Sequence, residues 1–127
     1  MRSLTTDGAP KAIGPYSQAV IEGGFLFTSG QVPLDPATGK LVEGGLERSA
    51  ERVFDNLEAI LTEAGLGFGD VVKTTVFLTR AEDFAPLNAV YARRFGNHRP
   101  ARSTVIVAAL PAGAAIEIDL IARVGSN

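Results

Sequence analysis

Apolar residues recur at three- and four-residue steps through the middle of the chain, which is the spacing of one face of an α-helix. The series comprises Leu46, Ala50, Val53, Phe54, Leu57, Ile60, Leu61 and Ala64. Gly65 follows directly, and a glycine at that position commonly ends a helix. A second helix is predicted to begin near Asp83, with Pro86 tolerated in its first turn. Its predicted buried side consists of Phe84, Leu87, Tyr91 and Phe95.

Five further segments have the composition or the alternation of β-strands. Residues 19–21 and 25–29 flank a Glu-Gly-Gly turn and predict a hairpin. Residues 70–78 are rich in β-branched side chains, and residues 103–110 are apolar on both faces. Residues 115–122 alternate, with isoleucine and leucine on one face and Glu117 and Asp119 on the other.

The predicted order is therefore hairpin, helix, strand, helix and two strands, in one domain spanning residues 1–127. Two helices cover only one face of such a sheet. Because the strand predicted at 103–110 is apolar on both sides, its second face requires another cover, and the chain has no spare element. We therefore expect a homo-oligomer packed through its sheets.

Composition excludes several classes of function. Hydrophobic residues make up 46% of the 127 residues and charged residues 20%, as in globular proteins. A net charge of −2 gives no indication of nucleic-acid binding. The chain has no cysteine and one histidine, so thiol chemistry is excluded and the usual metal sites are not expected. Without a signal-peptide pattern or a membrane-length apolar run, the cytoplasm is the default expectation.

Two residues with catalytic potential have simpler interpretations. His98 lies in a loop with no partner nearby in sequence, so a surface histidine is favoured over a catalytic one. Lys73 lies in a strand, and a Schiff-base lysine would need burial to lower its pKa. A lysine on a partly solvated face is the commoner case.

Arg102 and Glu117 differ from these two. Arg102 stands where a loop becomes an apolar strand, and its guanidinium offers a fork of donors that matches a carboxylate. Glu117 interrupts an apolar strand on the face that a partner is expected to bury, where a carboxylate is costly unless it is paired. On these grounds alone, a functional pair and a structural ion pair at a subunit interface remain equally open.

Several segments together resemble the RidA (YjgF-type) family of reactive-intermediate deaminases. They are residues 14–19 (Gly-Pro-Tyr-Ser-Gln-Ala), 28–33 (Thr-Ser-Gly-Gln-Val-Pro), 70–78, 88–91 (Asn-Ala-Val-Tyr), 100–104 (Pro-Ala-Arg-Ser-Thr), 110–111 and 116–118. The resemblance extends from about residue 9 to about residue 123, and the joint order and spacing of the segments make it specific.

The resemblance implies a chorismate-mutase-like α+β fold, a mixed sheet with two helices on one face, assembled as a homotrimer with clefts between subunits. It implies hydrolysis of 2-imino acids, which arise from enamines such as 2-aminoacrylate, to 2-oxo acids and ammonia. It also implies that no cofactor or metal is used. The implied partners are a small 2-imino or 2-oxo acid and further copies of the chain, without nucleic acid or membrane.

The resemblance also implies roles for individual residues. Arg102 would bind the substrate carboxylate and Glu117 would position or activate water. Tyr16 would line the pocket, and Ser29 and Gly30 would contribute hydroxyl and backbone contacts. The side chain of Asn88 and the backbone around Thr104 are further assignments to substrate binding. Several relatives have a cysteine where this chain has Thr104, many have an acidic residue at the position of Ile106, and Asp119 replaces a frequent glutamate.

Two other functions remain open at this point. The same cleft could bind 2-oxo or amino acids without turnover, because a binding arginine and a catalytic one look alike in sequence. Proteins resembling this family have also been described as ribonucleases or translation inhibitors, but the near-neutral charge and the lack of an aromatic and basic stripe argue against RNA.

Overall fold

A computed structural model describes residues 1–125 and shows one six-stranded sheet with two helices. The strands are β1 (Arg2–Leu4), β2 (Ala19–Glu22), β3 (Phe25–Thr28), β4 (Val71–Leu78), β5 (Ala101–Ile106) and β6 (Ile116–Arg123). The helices are α1 (Leu46–Glu63) and α2 (Phe84–Phe95). The predicted α+β fold, with a mixed sheet and two helices, is confirmed.

The spatial order of the strands is β1-β2-β3-β6-β4-β5, so the last strand in sequence lies inside the sheet. Strands β4 and β5 are parallel, joined by α2, and all other neighbours are antiparallel. The predicted hairpin is β2–β3, where Gly23 and Gly24 both have positive φ, as a tight turn between two strands requires.

One face of the sheet carries the core. Alternate residues of β6 (Ile116, Ile118, Leu120 and Ala122) are buried together with the predicted stripe of α1. Phe54 of α1 is fully buried and meets Tyr91 and Phe95 of α2 edge to face, with ring centroids 5.8 and 5.9 Å apart. Removing such a ring typically costs about 3–5 kcal/mol, so this contact fixes α2 against α1.

Within residues 1–125 no helix lies over the opposite face, which we call the open face. Phe25, Phe27 and Val105 remain 40%, 39% and 42% exposed there. The cross-strand pairs on this face include Phe27 with Ile121 and Phe77 with Val105. Apolar side chains at adjacent positions across several strands form the surface expected of a face that another molecule covers.

Two predictions of elements were wrong in detail, and one strand was missed. Strand β5 ends at Ile106, not at residue 110, because its partner β4 ends at Leu78 and only one further bond, from Val107 N–H to the Leu78 carbonyl at 2.8 Å, continues the pairing. Phe84 is 38% exposed, and Val90 takes its place on the buried side of α2. Strand β1 was not predicted, since three residues are too few to show alternation.

Candidate active site

Glu117 lines a hollow of about 150 Å³ at one end of β6. Tyr16 and Gly30 line the same hollow, so three of the residues predicted for the site do meet in space. The remaining wall is mostly apolar and consists of Pro10, Lys11, Ile13, Gln18, Gln31, Val32, Leu34, Pro111 and Ala112. The hollow thus joins one carboxylate to a largely apolar wall.

The backbone around Gly30 positions this part of the site. Gln31 and Ile118 exchange two backbone hydrogen bonds of 2.8 and 3.1 Å, which hold the chain after β3 against β6. Gly30 therefore lies directly beside the Glu117 side chain, and a Cβ on Gly30 would stand only 2.3 Å from a Glu117 carboxylate oxygen. A side chain at position 30 would therefore displace Glu117, so it is this close approach, and not the backbone angles, that favours glycine.

Glu117 forms no ion pair within residues 1–125, although Lys11 lines the same hollow. Burial raises the pKa of its carboxyl above the ordinary 4.5, and the nearby carboxylate of Asp119 raises it further. Asp119 lies two residues along β6 on the same open face, and burial raises its pKa as well. A carboxyl with a raised pKa exchanges its proton closer to neutral pH, as an acid–base group must.

Arg102 lines a different hollow, of about 340 Å³, between α2 and the start of β5. Its guanidinium carbon lies 4.7 Å from the centre of the Tyr91 ring and 5.6 Å from that of Phe84. Asn88 lines the same hollow, one turn before Tyr91 on α2. The cation is held by stacking on aromatic rings, which leaves its in-plane N–H donors available to a ligand.

The two hollows lie on opposite faces of the sheet. Arg102 pairs across strands with Thr74, whose hydroxyl meets the Tyr91 hydroxyl at 2.8 Å beneath α2. Glu117 pairs with Phe77 on the open face. Because side chains alternate along β4, Thr74 and Phe77 point to opposite sides. A single chain therefore does not bring Arg102 and Glu117 together, and the two hollows share no residue.

Two predicted site residues line neither hollow. The Ser29 hydroxyl donates to the Ser17 carbonyl at 2.6 Å, which ties β3 to the segment carrying Tyr16. The Thr104 hydroxyl is buried on β5 and finds no hydrogen-bond partner within residues 1–125. A buried orphan hydroxyl of this kind is uncommon.

The two alternative candidates have local partners. The Lys73 ammonium donates to the Ser103 hydroxyl at 2.8 Å. The His98 ring nitrogen lies 2.6 Å from the Val71 carbonyl, so this histidine is partly buried and not simply a surface residue.

Arg99 lines the Arg102 hollow but was not predicted as a site residue from the sequence. Its position three residues before Arg102 in a loop was the available signal. The apolar wall around Glu117 was missed too, because Ile13, Val32 and Leu34 come from loops without periodicity.

In the described part of the chain, no helix is long and apolar enough to cross a membrane. Within the same 125 residues, no group of three or more histidine, aspartate or glutamate side chains is placed to hold a metal ion.

Comparison with known proteins identifies the family. A sequence model described as Endoribonuclease L-PSP matches residues 6–124. RidA from the Antarctic bacterium Psychrobacter sp. PAMC 21119 has a crystal structure that superposes with a TM-score of 0.93 at 45% identity, covering 98% of this chain and 100% of that one. The chain belongs to the RidA family. The resemblance of the sequence segments is thus confirmed across nearly the whole length.

Two other members of the RidA family are informative. A human protein named 2-iminobutanoate/2-iminopropanoate deaminase is 45% identical over 124 residues, covering 98% of this chain and 90% of that protein. Escherichia coli TdcF, solved with bound serine, superposes with a TM-score of 0.93 at 42% identity and covers 98% of this chain and 100% of its own. Members of the RidA family with this degree of similarity therefore include a deaminase and a protein that binds a small amino acid.

Proposed function

We propose that this chain hydrolyses 2-imino acids to 2-oxo acids and ammonia, at sites shared between the subunits of a homotrimer. The observation that carries the proposal is the placement of Arg102 and Glu117 in separate hollows on opposite faces of one sheet. The Arg102 hollow supplies the guanidinium fork for a carboxylate, and the Glu117 hollow supplies the acid–base group. The 45% identity to the human deaminase supports the reaction class.

Arg102 binds the substrate carboxylate in this proposal. Its guanidinium is stacked on Tyr91, 4.7 Å from the ring centre, so the plane of the donor fork is set before a ligand arrives. Two parallel N–H donors then hold both carboxylate oxygens and fix the orientation of the adjacent imine carbon. Asn88 supplies a further amide at the edge of the same hollow.

Glu117 of an adjacent subunit handles the protons. In its protonated form it donates to the imine nitrogen, which makes the carbon more electrophilic. The resulting carboxylate then takes a proton from water as the water oxygen forms its bond to that carbon. Return of this proton to nitrogen turns the amine into a leaving group. As the carbon–nitrogen bond breaks, the hydroxyl proton passes to the Glu117 carboxylate and the carbon–oxygen double bond forms, so imine and water give the 2-oxo acid and ammonia and Glu117 is protonated again. The raised pKa of Glu117 suits both proton transfers.

The open face supports the trimer. Its exposed Phe25, Phe27 and Val105 need cover, and a neighbouring copy packed through this face would bury them. Glu117 pairs with Phe77, whose other neighbour is Val105, so Glu117 lies on the same open face, and the same contact would bring in the Arg102 of the neighbour.

Mixed assemblies test the shared site. Arg102→Ala and Glu117→Gln should each abolish conversion of an imine generated in situ, without unfolding the protein. When the two variants are co-expressed in equal amounts, random assembly restores about one quarter of the sites, because a site then takes its arginine and its glutamate from different chains. No recovery in verified mixed trimers would refute the shared site. Arg102→Lys keeps the charge and loses the planar fork, so it should recover little activity.

Binding without turnover is a second candidate, favoured by the bound serine in TdcF. It predicts saturable, Arg102-dependent binding of a 2-oxo acid, while ammonia release from an imine stays at the uncatalysed rate. Measurement of ammonia alongside binding separates the two functions.

The name of the family model suggests RNA cleavage, but the net charge of this chain does not support that activity. The chain carries a net charge of −2, and Glu117 and Asp119 place two carboxylates on the open face. Cleavage that falls with salt and is lost in Arg102→Ala would overturn this judgement.

A further inference from the structure

The Arg102 hollow is lined by hydrogen-bond donors without an acid to match them. Asn88, Arg99 and Arg102 supply the polar groups, and no carboxylate lines the hollow. Within residues 1–125 neither arginine takes part in an ion pair. By contrast, Arg93 and Arg94 at the end of α2 pair with Glu51 at 3.0 and 2.8 Å. The hollow therefore brings together two arginines that make no ion pair within residues 1–125.

Arg99 is held in place without using all of its donors. One terminal nitrogen donates to the carbonyls of Gly96 and His98, the latter at 2.9 Å, where the chain leaves α2. The ring of the following Pro100 restricts the backbone. The other terminal nitrogen and Nε make no hydrogen bond with the rest of residues 1–125. Such a guanidinium loses less side-chain entropy on binding an anion than a free surface arginine does.

Two guanidinium groups that line one hollow repel each other. The charges of both Arg99 and Arg102 act on the phenol of Tyr91, which forms the wall between α2 and β5. One substrate carboxylate balances only one of these charges. The volume of about 340 Å³ leaves room beyond that carboxylate.

We propose that Arg99 binds a second acidic group, so that the Arg102 hollow selects 2-oxo and 2-imino diacids over monoacids of equal chain length. The inference rests on the proposed function, in which Arg102 binds the first carboxylate. Arg99 is then the residue that determines specificity, and its ligand is a second carboxylate on the substrate side chain.

Calorimetry on the assembled protein tests this inference with two probes of five carbons each, 2-oxoglutarate and 2-oxopentanoate. A charge-assisted contact predicts that the wild type binds the diacid about tenfold more tightly at low ionic strength. In Arg99→Gln the ratio of the two dissociation constants should fall close to one. Arg93→Gln removes an equal charge from the end of α2 outside the hollow and should leave the ratio unchanged. Added salt should lower the ratio in the wild type, because it screens the second contact.

The outcomes separate this inference from the function on which it rests. Equal affinities in the wild type, or an Arg99→Gln variant that keeps the preference, would overturn the role of Arg99 alone. The role of Arg99 is also refuted if Arg93→Gln and Arg99→Gln change the ratio of dissociation constants equally, because the preference for the diacid then depends only on the net charge of the protein. The proposed function fails instead if Arg102→Ala still binds 2-oxopentanoate as the wild type does.

Discussion

Replacement of Gly30 by alanine is a direct test of how Glu117 is positioned. A Cβ at Gly30 would stand 2.3 Å from a Glu117 carboxylate oxygen, 2.6 Å from the carboxyl carbon and 3.0 Å from Cγ. All three of the nearest atoms belong to that one side chain. The substitution therefore displaces the carboxylate and little else, since Gly30 is exposed and does not need a left-handed backbone.

The size of the displacement sets the expected effect. Ordinary contact begins at 3.4 Å, so the Glu117 carboxylate has to move by about 1 Å. A misplacement of about 1 Å at a catalytic group costs on the order of 100-fold in rate. If the side chain leaves its preferred rotamer, the protein also loses about 0.5–1.5 kcal/mol. We therefore expect kcat/KM of Gly30→Ala to fall about 100-fold, with little change in the unfolding midpoint.

The assay is steady-state hydrolysis of an imine generated in situ, with Gly67→Ala as the matched control. Gly67 is also exposed and extended, and a Cβ there meets nothing within 4 Å. The double variant Gly30→Ala/Glu117→Gln should be no slower than Glu117→Gln alone, because the alanine acts only through the displaced carboxylate. Activity of Gly30→Ala within about threefold of the wild type, with Glu117→Gln inactive, would refute the argument.

Three predictions concern stability, measured by chemical denaturation. Glu117→Gln should raise the free energy of unfolding at pH 7, because the raised pKa of Glu117 in the folded state means that its ionised form opposes folding. This gain in stability should vanish as the pH falls below 4.5, where the carboxyl is protonated in both states. A gain that grows toward low pH would contradict this sign. Thr104→Val should increase the free energy of unfolding by about 1 kcal/mol, because it removes a buried hydroxyl that has no hydrogen-bond partner within residues 1–125. A decrease in stability would instead mean that the hydroxyl is hydrogen-bonded in the assembly. Arg94→Ala should cost about 3 kcal/mol, because this guanidinium is 18% exposed and contacts Glu51, Asp55 and Glu58. Arg93 is more exposed, so Arg93→Ala should lower the free energy of unfolding by less than about 1 kcal/mol. Equal losses of stability in Arg93→Ala and Arg94→Ala would show that burial does not decide the difference.

Local patterns predicted the elements whose stability is local. The apolar stripe of α1 and the Glu-Gly-Gly turn of the hairpin depend on neighbours within a few residues, and both were found as expected. The end of β5 depends instead on where β4 ends, and Phe84 is exposed because α2 turns Val90 toward the core. Such pairings between distant residues leave no periodic signal in one chain.

The candidate site shows the same division between local and distant information. Arg102 and Glu117 could be chosen from their residue types and their places in apolar strands. The side of the sheet on which each lies could not, because a shift of one residue in strand pairing moves every side chain to the other face. Only the register, with Arg102 opposite Thr74 and Glu117 opposite Phe77, separates the two hollows.

The charged residues of this protein fall into two groups that differ in how completely they are compensated. Arg94 contacts three carboxylates of α1 and stacks on two aromatic rings, so its charge is satisfied inside one chain. Arg102 and Glu117 are partly buried, yet within residues 1–125 each lacks a partner of opposite sign. Leaving partly buried charges uncompensated costs free energy, and Arg102 and Glu117 carry charges of opposite sign. An assembly that brings them together lowers this cost and completes the chemical site in one step, so we expect trimer formation and catalytic competence to be inseparable.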